Sequence, residues 1–373
     1  MLHQNYRTLV GLLLWFLVWG GYLQAMEPTK NILITKLTEL DRFEPFEGQV
    51  FHDGHLWVGH SRKDLAAAYK IELFSSDGKL ITTVPLKHSP RFLYAFGSDS
   101  ILAVGIAVSD NLSHYSIIKR TGETLKVTDY KIPAEALADR FVGKPGQMYF
   151  TDPGGFDDGG PLGQPLRTLF SIKSGQARFL NARISGPRTS VLLGNSIFIA
   201  QQPDMGSDRF FLTQLNLTSE TAQKISSEPV FGVSNMLILE NGNEIIFNER
   251  YKNQVGILDA TKSKITEKIA IPAGQPRGLG QMGHCLVVGS EVSKQVTFID
   301  LKASGHPIVA QWDVSNAGKE FLAINNLSVD PKQGRVYLRS ASPCSVSEAC
   351  PYSHNSALMV EEESQETLKA CNN

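Results

Sequence analysis

The sequence predicts an all-β protein, a seven-bladed β-propeller closed by a strand from its N-terminal segment. Three observations predict it. Helical periodicity is nearly absent after the first 25 residues, and the chain runs in short segments rich in Val, Ile, Leu, Phe and Tyr, punctuated by Gly, Asp, Asn and Ser. These segments group into a four-strand unit that recurs seven times at intervals of 42 to 49 residues, a period typical of propellers. The last copy shows only three strands, while Asn31–Leu37 belongs to no copy. Pairing the two closes the ring and removes an exposed sheet edge.

The clearest copy begins at Gln275-Pro276-Arg277-Gly278-Leu279, continues through Cys285–Gly289 and Gln295–Asp300, and ends near Ile308–Trp312. The copy before it reads Ser234–Leu239, a turn at Asn241-Gly242-Asn243, then Glu244–Asn248 and Gln254–Asp259. The same plan appears in Gly48–Phe51, His55–Gly59 and Tyr69–Phe74. Equivalent starts are Glu47, Arg91, Arg140, Arg188, Asn235, Arg277 and Asn325. No GH…WD pair marks the copies, so they are not WD40 repeats. Each unit buries its apolar faces only against its neighbours, so no unit is stable alone. The organisation read from the chain is a signal peptide over 1–25, a closing strand within 26–45, the propeller over 46–364 and a C-terminal tail over 365–373.

The signal-peptide reading rests on Arg7, the apolar run Leu9–Trp19 and the small and polar residues leading to Ala25, where cleavage is expected. The run is short for a membrane span. No second run is long enough to cross a bilayer, so a secreted or periplasmic protein with no span after cleavage is expected. The 373 residues are 42% hydrophobic and 20% charged, with formal net charge −1. That balance supplies a core and lacks the dense basic footprint of a nucleic-acid binder. Four cysteines in an oxidising compartment suggest disulfides. Cys344 and Cys350 are read as a local staple. Cys285 either ties to Cys371, fastening the tail, or is a buried thiol in an apolar run. Sequons begin at Asn111, Asn216 and Asn326 and matter only in a glycosylating host.

Propeller connectivity sorts the loops by face. The loop entering each inner strand and the loop between the second and third strands share one face. The tight turns at Asp53, Asp77, Asn241 and Gln333 fall on the other. Function concentrates on loops held by a rigid scaffold, so the first face carries the candidate site. The repeated starts aim Arg91, Arg140, Arg188 and Arg277 at the channel mouth, with Glu47, Asn235 and Asn325 between them. Converging guanidiniums either form an anion site or pair with neighbouring carboxylates and plug the channel. Asp152, Glu249 and Glu291 are further ligand-binding candidates on that face, beside His60, Arg62, Asp110, Asp204, Asp208 and Arg250. The loop from Asp152 to Arg167 holds Asp157 and Asp158 among glycines, either as oxygen ligands for Ca²⁺ or as a Gly/Asp turn cluster. The loop from Ser340 to Asn355 reads as a rim segment. No nucleophile elbow, P-loop, dinucleotide fingerprint or HExxH occurs.

The blades resemble the NHL/YVTN-like propeller group, most clearly in Gln275–Leu279 and Val296–Asp300. Three fragments also resemble the SMP-30/gluconolactonase family: Phe46–Phe51 is similar to its EGPVW segment, Met148–Gly154 to its YFTDP segment and Ser234–Leu237 to its PNG segment. The second resemblance implies a divalent metal, held by a Glu, an Asn and an Asp on separate inner strands, that polarises a lactone carbonyl. Glu47 matches the Glu and Asn235 the Asn. Arg277 stands at the Asp position, and Arg140 stands where that family has an Asn before YFTDP. A guanidinium repels a metal rather than ligating it, and that family is built with six blades. The expectation is therefore an exported, non-catalytic propeller that binds a small anionic molecule or another exported protein on its Arg-lined face, with no cofactor. The alternative is a lactonase- or esterase-like hydrolase at the channel mouth, with Glu47, Asn235, Asp157 and Asp158 as metal candidates.

Overall fold

A computed structural model describes residues 31–41, 48–60, 69–106, 110, 112–134, 136, 138, 140–151, 169–173, 175–182, 184–204, 207–318, 321, 323–340 and 354–373. They form seven antiparallel sheets arranged as a propeller. Six blades are built from consecutive strands. Their inner strands are Gln49–His52, Phe92–Ala95, Arg140–Lys144, Pro187–Leu193, Met236–Ile238 and Pro276–Met282. Blade 7 joins Ile324–Asp330, Arg335–Ser340 and His354–Glu362 to the N-terminal strand Ile32–Asp41. The predicted closure is therefore present, with Ile34 opposite Val360 and Leu40 opposite Asn355.

Strand position explains strand composition. Second strands are covered on both faces, so Cys285–Ser290 is buried throughout and reads as a continuous apolar run. Outer strands lie at the rim. Thr124–Lys131 alternates between exposed and half-buried positions, which matches its alternating polar sequence. Seven buried apolar clusters occur among the described residues, one at each interface between blades. Trp57, Ile71 and Leu73 of blade 1 pack on Leu93, Ile101 and Ile118 of blade 2. Leu56, Val58 and Phe74 of blade 1 pack on Tyr337, Ala357 and Met359 of blade 7. The core is thus a ring of shared interfaces, and opening any one exposes two apolar faces.

The seam between blades 7 and 1 carries a latch as well as a strand. Arg339 is 1% exposed. Its Nη1 donates to the Gly48 carbonyl at 2.8 Å and to the Gly59 carbonyl at 3.2 Å, and Nη2 donates to Gly59 at 3.2 Å. Arg335 Nη1 and Tyr337 Oη both donate to the Ser76 carbonyl, at 2.7 and 2.8 Å. Tyr337 also stacks on Phe51, with centroids 5.2 Å apart. Fully burying a guanidinium is costly unless its donors find acceptors. Here blade 1 carbonyls supply them, so the cost is offset only when the ring is shut.

The C-terminal residues form a helix, Glu366–Asn372, on the face of the tight turns. At 7 residues it is too short to show a period in sequence. Tertiary contacts hold it: Thr367 N donates to Glu362 Oε2 at 2.7 Å, Trp312 Nε1 to Thr367 Oγ1 at 3.3 Å, and His284 N to the Cys371 carbonyl at 2.9 Å. Cys371 stands at disulfide distance from Cys285, 86 residues away in sequence. Gly283 makes that approach possible. Its φ is +55°, and a Cβ there would meet the Cys371 carbonyl at 2.2 Å. The proposed Cys344–Cys350 staple lies outside the described residues.

Two stability outcomes are expected. Arg339→Met removes the guanidinium's hydrogen bonds to the Gly48 and Gly59 carbonyls, of which Gly48 keeps the Gly59 N–H at 2.7 Å, and is expected to cost about 1–3 kcal/mol, read as a lower urea midpoint with an unchanged slope. Cys285→Ser removes a crosslink around a long loop and is expected to cost up to about 4–5 kcal/mol. Thermal unfolding with and without reductant checks this, and the variant should match the reduced wild type.

Candidate functional site

The inner strands present their open edges to the axis. What differs between them is how each begins. In blades 4, 6 and 7 the pairing register slips at the same place. Pro187 pairs Gln201 but Thr189 pairs Ala200, Pro276 pairs Ser290 but Gly278 pairs Gly289, and Ile324 pairs Ser340 but Asn326 pairs Arg339. The extra residues are Arg188, Arg277 and Asn325. A bulge re-aims the side chain at its extra residue, and here it does so at three of the positions aligned from sequence as equivalent starts. Polar side chains near the second-strand ends anchor the entry loops. Thr151 Oγ1 accepts from Arg140 N at 3.1 Å, Gln201 Oε1 from Ser185 N at 3.2 Å, and Asn248 Oδ1 from Ser234 N and Asn235 N at 3.0 and 2.8 Å. Ser290 Oγ lies 2.9 and 2.7 Å from the carbonyls of Ala273 and Gly274.

The inner strands enclose an axial cavity of about 290 Å³. Each blade contributes at least one polar side chain: Gln49, Tyr94, Arg140, Ser190, Asn235, Arg277 and Asn325 in blade order. Four of the expected positions are therefore brought together: Arg140, Asn235, Arg277 and Asn325. Arg91 and Arg188 stand outside this lining. Arg91 is exposed, and its guanidinium lies 5.1 Å from the Phe92 ring, whose centroid is also 4.7 Å from the Arg140 guanidinium. Arg188 Nε donates to Gln202 Oε1 at 2.6 Å. Glu47, Arg62, Asp152, Asp157 and Asp158 lie outside the described residues. Gln49 and Ser190 were not singled out from the sequence. Each lies two residues beyond a start position, where strand alternation returns side chains to the same face. Tyr94 was missed as well, because its pattern suits a core position equally.

The carboxylates divide into two kinds. Glu291 reaches the site. Its Oε1 accepts from Arg277 Nη1 at 2.7 Å, and its Oε2 lies 2.5 Å from Arg250 Nε of the neighbouring blade. Glu249 is turned into the protein at 0% exposure. It pairs with Lys268 at 2.6 Å and accepts from Gln254 Nε2 and Phe231 N, so it anchors local backbone. His60 is likewise buried against Glu72 at 2.9 Å, with Lys70 on the second Glu72 oxygen at 2.6 Å. Burial alone would raise the Glu72 carboxyl, but His60 and Lys70 outweigh it and hold the group at about 2. Asp110 pairs with Lys131 and His114 at 3.0 and 3.2 Å. Among the described residues, no group of three His, Cys, Asp or Glu side chains is placed to hold a metal ion. Of the sequons, Asn216 is exposed, while Asn326 lies at the blade 7 and blade 1 seam with Nδ2 3.4 Å from the Gln49 carbonyl.

A buried histidine on the loop into blade 2 has no counterpart in the sequence reading. His88 is 0% exposed. Nδ1 donates to the Ser89 carbonyl at 3.0 Å, and Nε2 lies 2.7 Å from Ser116 Oγ, itself 2.6 Å from Asp129 Oδ1. A protonated ring could donate to Ser116 and release its hydroxyl toward Asp129. Burial, together with the His114 ring at 5.9 Å, outweighs that and lowers His88 to about 4. The folded state therefore refuses a proton that the unfolded chain accepts near 6.5. This contribution to stability is complete above about pH 6.5 and declines as pH falls toward 4. His88→Gln is expected to flatten the loss of stability across that window by about 3 kcal/mol at most, measured by urea unfolding at successive pH values. An unchanged pH profile would contradict the assignment.

No family model matches the chain, and no curated protein does. Solved structures match by fold. Streptogramin B lyase aligns with TM-score 0.60 at 13% identity, over 90% of this chain and 99% of that one. Hydrazine synthase from Kuenenia stuttgartiensis aligns with TM-score 0.57 at 13% identity, over 85% of this chain and 96% of that one. A chain of the mitotic checkpoint complex aligns with TM-score 0.58 at 8% identity, over 90% and 92%. At these identities the likeness shows a shared propeller fold. The fold hosts a lyase, a synthase and a checkpoint component, so it does not choose between catalysis and binding. No helix among the described residues is long and apolar enough to cross a membrane.

Proposed function

We propose that this chain is an exported binding protein that takes a small anionic ligand in its axial mouth, without catalysing a reaction there. One observation carries the reading. Arg250 and Arg277 share the single carboxylate of Glu291, one on each oxygen. Arg140 brings a further guanidinium to the cavity that Arg277 lines. The guanidinium fork matches the planar, bidentate geometry of a carboxylate. The ligand is a soluble small acid or a carboxylate displayed by another exported protein.

The metal-dependent hydrolase reading fits these residues poorly. Asn235 would be a ligand, yet it shares the cavity with Arg277 and Arg140. A divalent cation beside Asn235 would face both guanidiniums. Export accords with the leader-like first 25 residues and with the Cys285–Cys371 pair at disulfide distance. The blade pattern favours the NHL/YVTN-like group over a lactonase.

Calorimetry with a dicarboxylate such as succinate tests the reading. Arg277→Met is expected to weaken binding by about 10- to 100-fold, the range for a hydrogen bond to a charged group. Glu291→Gln removes the competing carboxylate and is expected to strengthen binding several-fold. Equal affinity in both variants and the wild type would overturn the axial anion site.

A further inference from the structure

The face that carries the axial mouth also carries two exposed apolar side chains. Tyr251 and Val292 are 46% and 63% exposed. Tyr251 follows the second strand of blade 5, Glu244–Glu249, and Val292 follows that of blade 6, Cys285–Ser290. The other large apolar side chains exposed among the described residues, Leu33, Leu80 and Tyr130, stand on outer strands at the rim. A single exposed apolar residue needs no explanation, but the loops of these two are fastened together. Arg250 Nε lies 2.5 Å from Glu291 Oε2, which joins the residue before Tyr251 to the residue before Val292. The Arg250 guanidinium also lies 5.2 Å from the Tyr251 ring.

Both loops are fixed in advance of any partner. Tyr251 rests on Gly232, where an added Cβ would meet its ring at 2.5 Å. Asn253 Oδ1 accepts from Gln275 N at 2.8 Å, and the Asn253 carbonyl accepts from Ile271 N at 2.7 Å. Ser290 Oγ accepts from Ser293 N at 3.2 Å, and Val314 N donates to the Lys294 carbonyl at 3.0 Å. A rigid aromatic loses little conformational freedom on binding, and Tyr and Arg are frequent interface anchors. The accessible charges of these loops are of one sign. Glu249 is buried on Lys268, and Glu291 is held by Arg250 and Arg277. Lys252 is exposed, with Nζ 4.7 Å from the Phe231 ring, and Lys294 is half-buried; neither meets a carboxylate among the described residues. Beyond Phe231 the adjoining strand brings Asp208 and Arg209, one charge of each sign. We infer that the loops of blades 5 and 6 dock an acidic segment of a partner protein, with an apolar side chain on Tyr251 and Val292 and carboxylates toward Lys252 and Lys294. Lys252 and Lys294 attract an acidic segment and repel a basic one. The docking requires no ligand at Arg277 or Arg140, so it goes beyond the axial anion reading and is separate from it.

Selection of a phage-displayed random peptide library on the purified full-length chain tests the docking surface. The enriched peptides are expected to carry an aromatic or aliphatic residue flanked by Asp or Glu. Fluorescence anisotropy with one enriched peptide then reads the affinity. Tyr251→Ser is expected to weaken it about tenfold or more, and Val292→Ser several-fold. Lys252→Glu and Lys294→Glu should each weaken it at low salt, and high salt should shrink that difference. The selection uses the wild type and needs no variant to fold. Enrichment of basic or uncharged peptides, no enrichment, or an enriched peptide that binds Tyr251→Ser as tightly as wild type would overturn the inference. Concentration-dependent dimers in sedimentation that Tyr251→Ser abolishes would also overturn it, because the patch would then belong to a second copy of this chain. Succinate titration of the wild type keeps the two readings apart. Failed selection with succinate still bound removes the docking surface alone, and peptide capture without succinate binding removes the axial anion site alone.

Discussion

The seam between blades 7 and 1 is the constraint on which the rest depends. Every apolar cluster among the described residues lies between two blades, so no sheet has a core of its own. Six interfaces join sheets that are neighbours in sequence. The seventh must bring together residues hundreds of positions apart, and it does so with a strand and a buried cation. Strand Ile32–Asp41 pairs with His354–Glu362, and Arg339 spends its donors on Gly48 and Gly59. Neither is satisfied in an open chain, so closure and core formation are coupled.

Closure also creates the site. The axial cavity exists only when seven inner strands converge, and Asn326 Nδ2 reaches the Gln49 carbonyl across the closing seam. The same bulge recurs at Arg188, Arg277 and Asn325 in blades 4, 6 and 7, and it brings Arg277 and Asn325, but not Arg188, into the cavity lining. A repeated scaffold supplies equivalent positions, and differences in residue type at those positions supply selectivity. Arg277 is drawn into an ion pair by Glu291 of its own blade. Arg188 donates to the buried Gln202 side chain instead. Equivalent backbone positions thus come to hold different electrostatic roles.

Much of this architecture was legible in the chain. Strand runs, turn residues and the recurring period specify the blades, and the orphan segment at Asn31–Leu37 specifies the closure. The start positions were legible because a repeat aligns them. What the sequence concealed is of two kinds. Bulges depend on pairing register, which no single strand records, so the division between Arg277 and Arg188 was not visible. Buried polar residues such as His88, Glu249 and Arg339 look like ordinary loop or rim residues until their partners, far away in sequence, are known. Gln49 lay within reach of the strand-alternation rule, two residues beyond Glu47. The C-terminal helix escaped because tertiary contacts, not periodicity, hold it.

The central claim is that the N-terminal strand completes the last blade and thereby stabilises the whole ring. Amide hydrogen exchange over residues 32–40 in the native protein tests it most directly. The account predicts protection of this strand comparable to that of its partner, Ala357–Val360, with both segments exchanging only when the entire ring opens. Exchange of residues 32–40 at the rate of an unstructured peptide, while the inner strands remain protected, would contradict it.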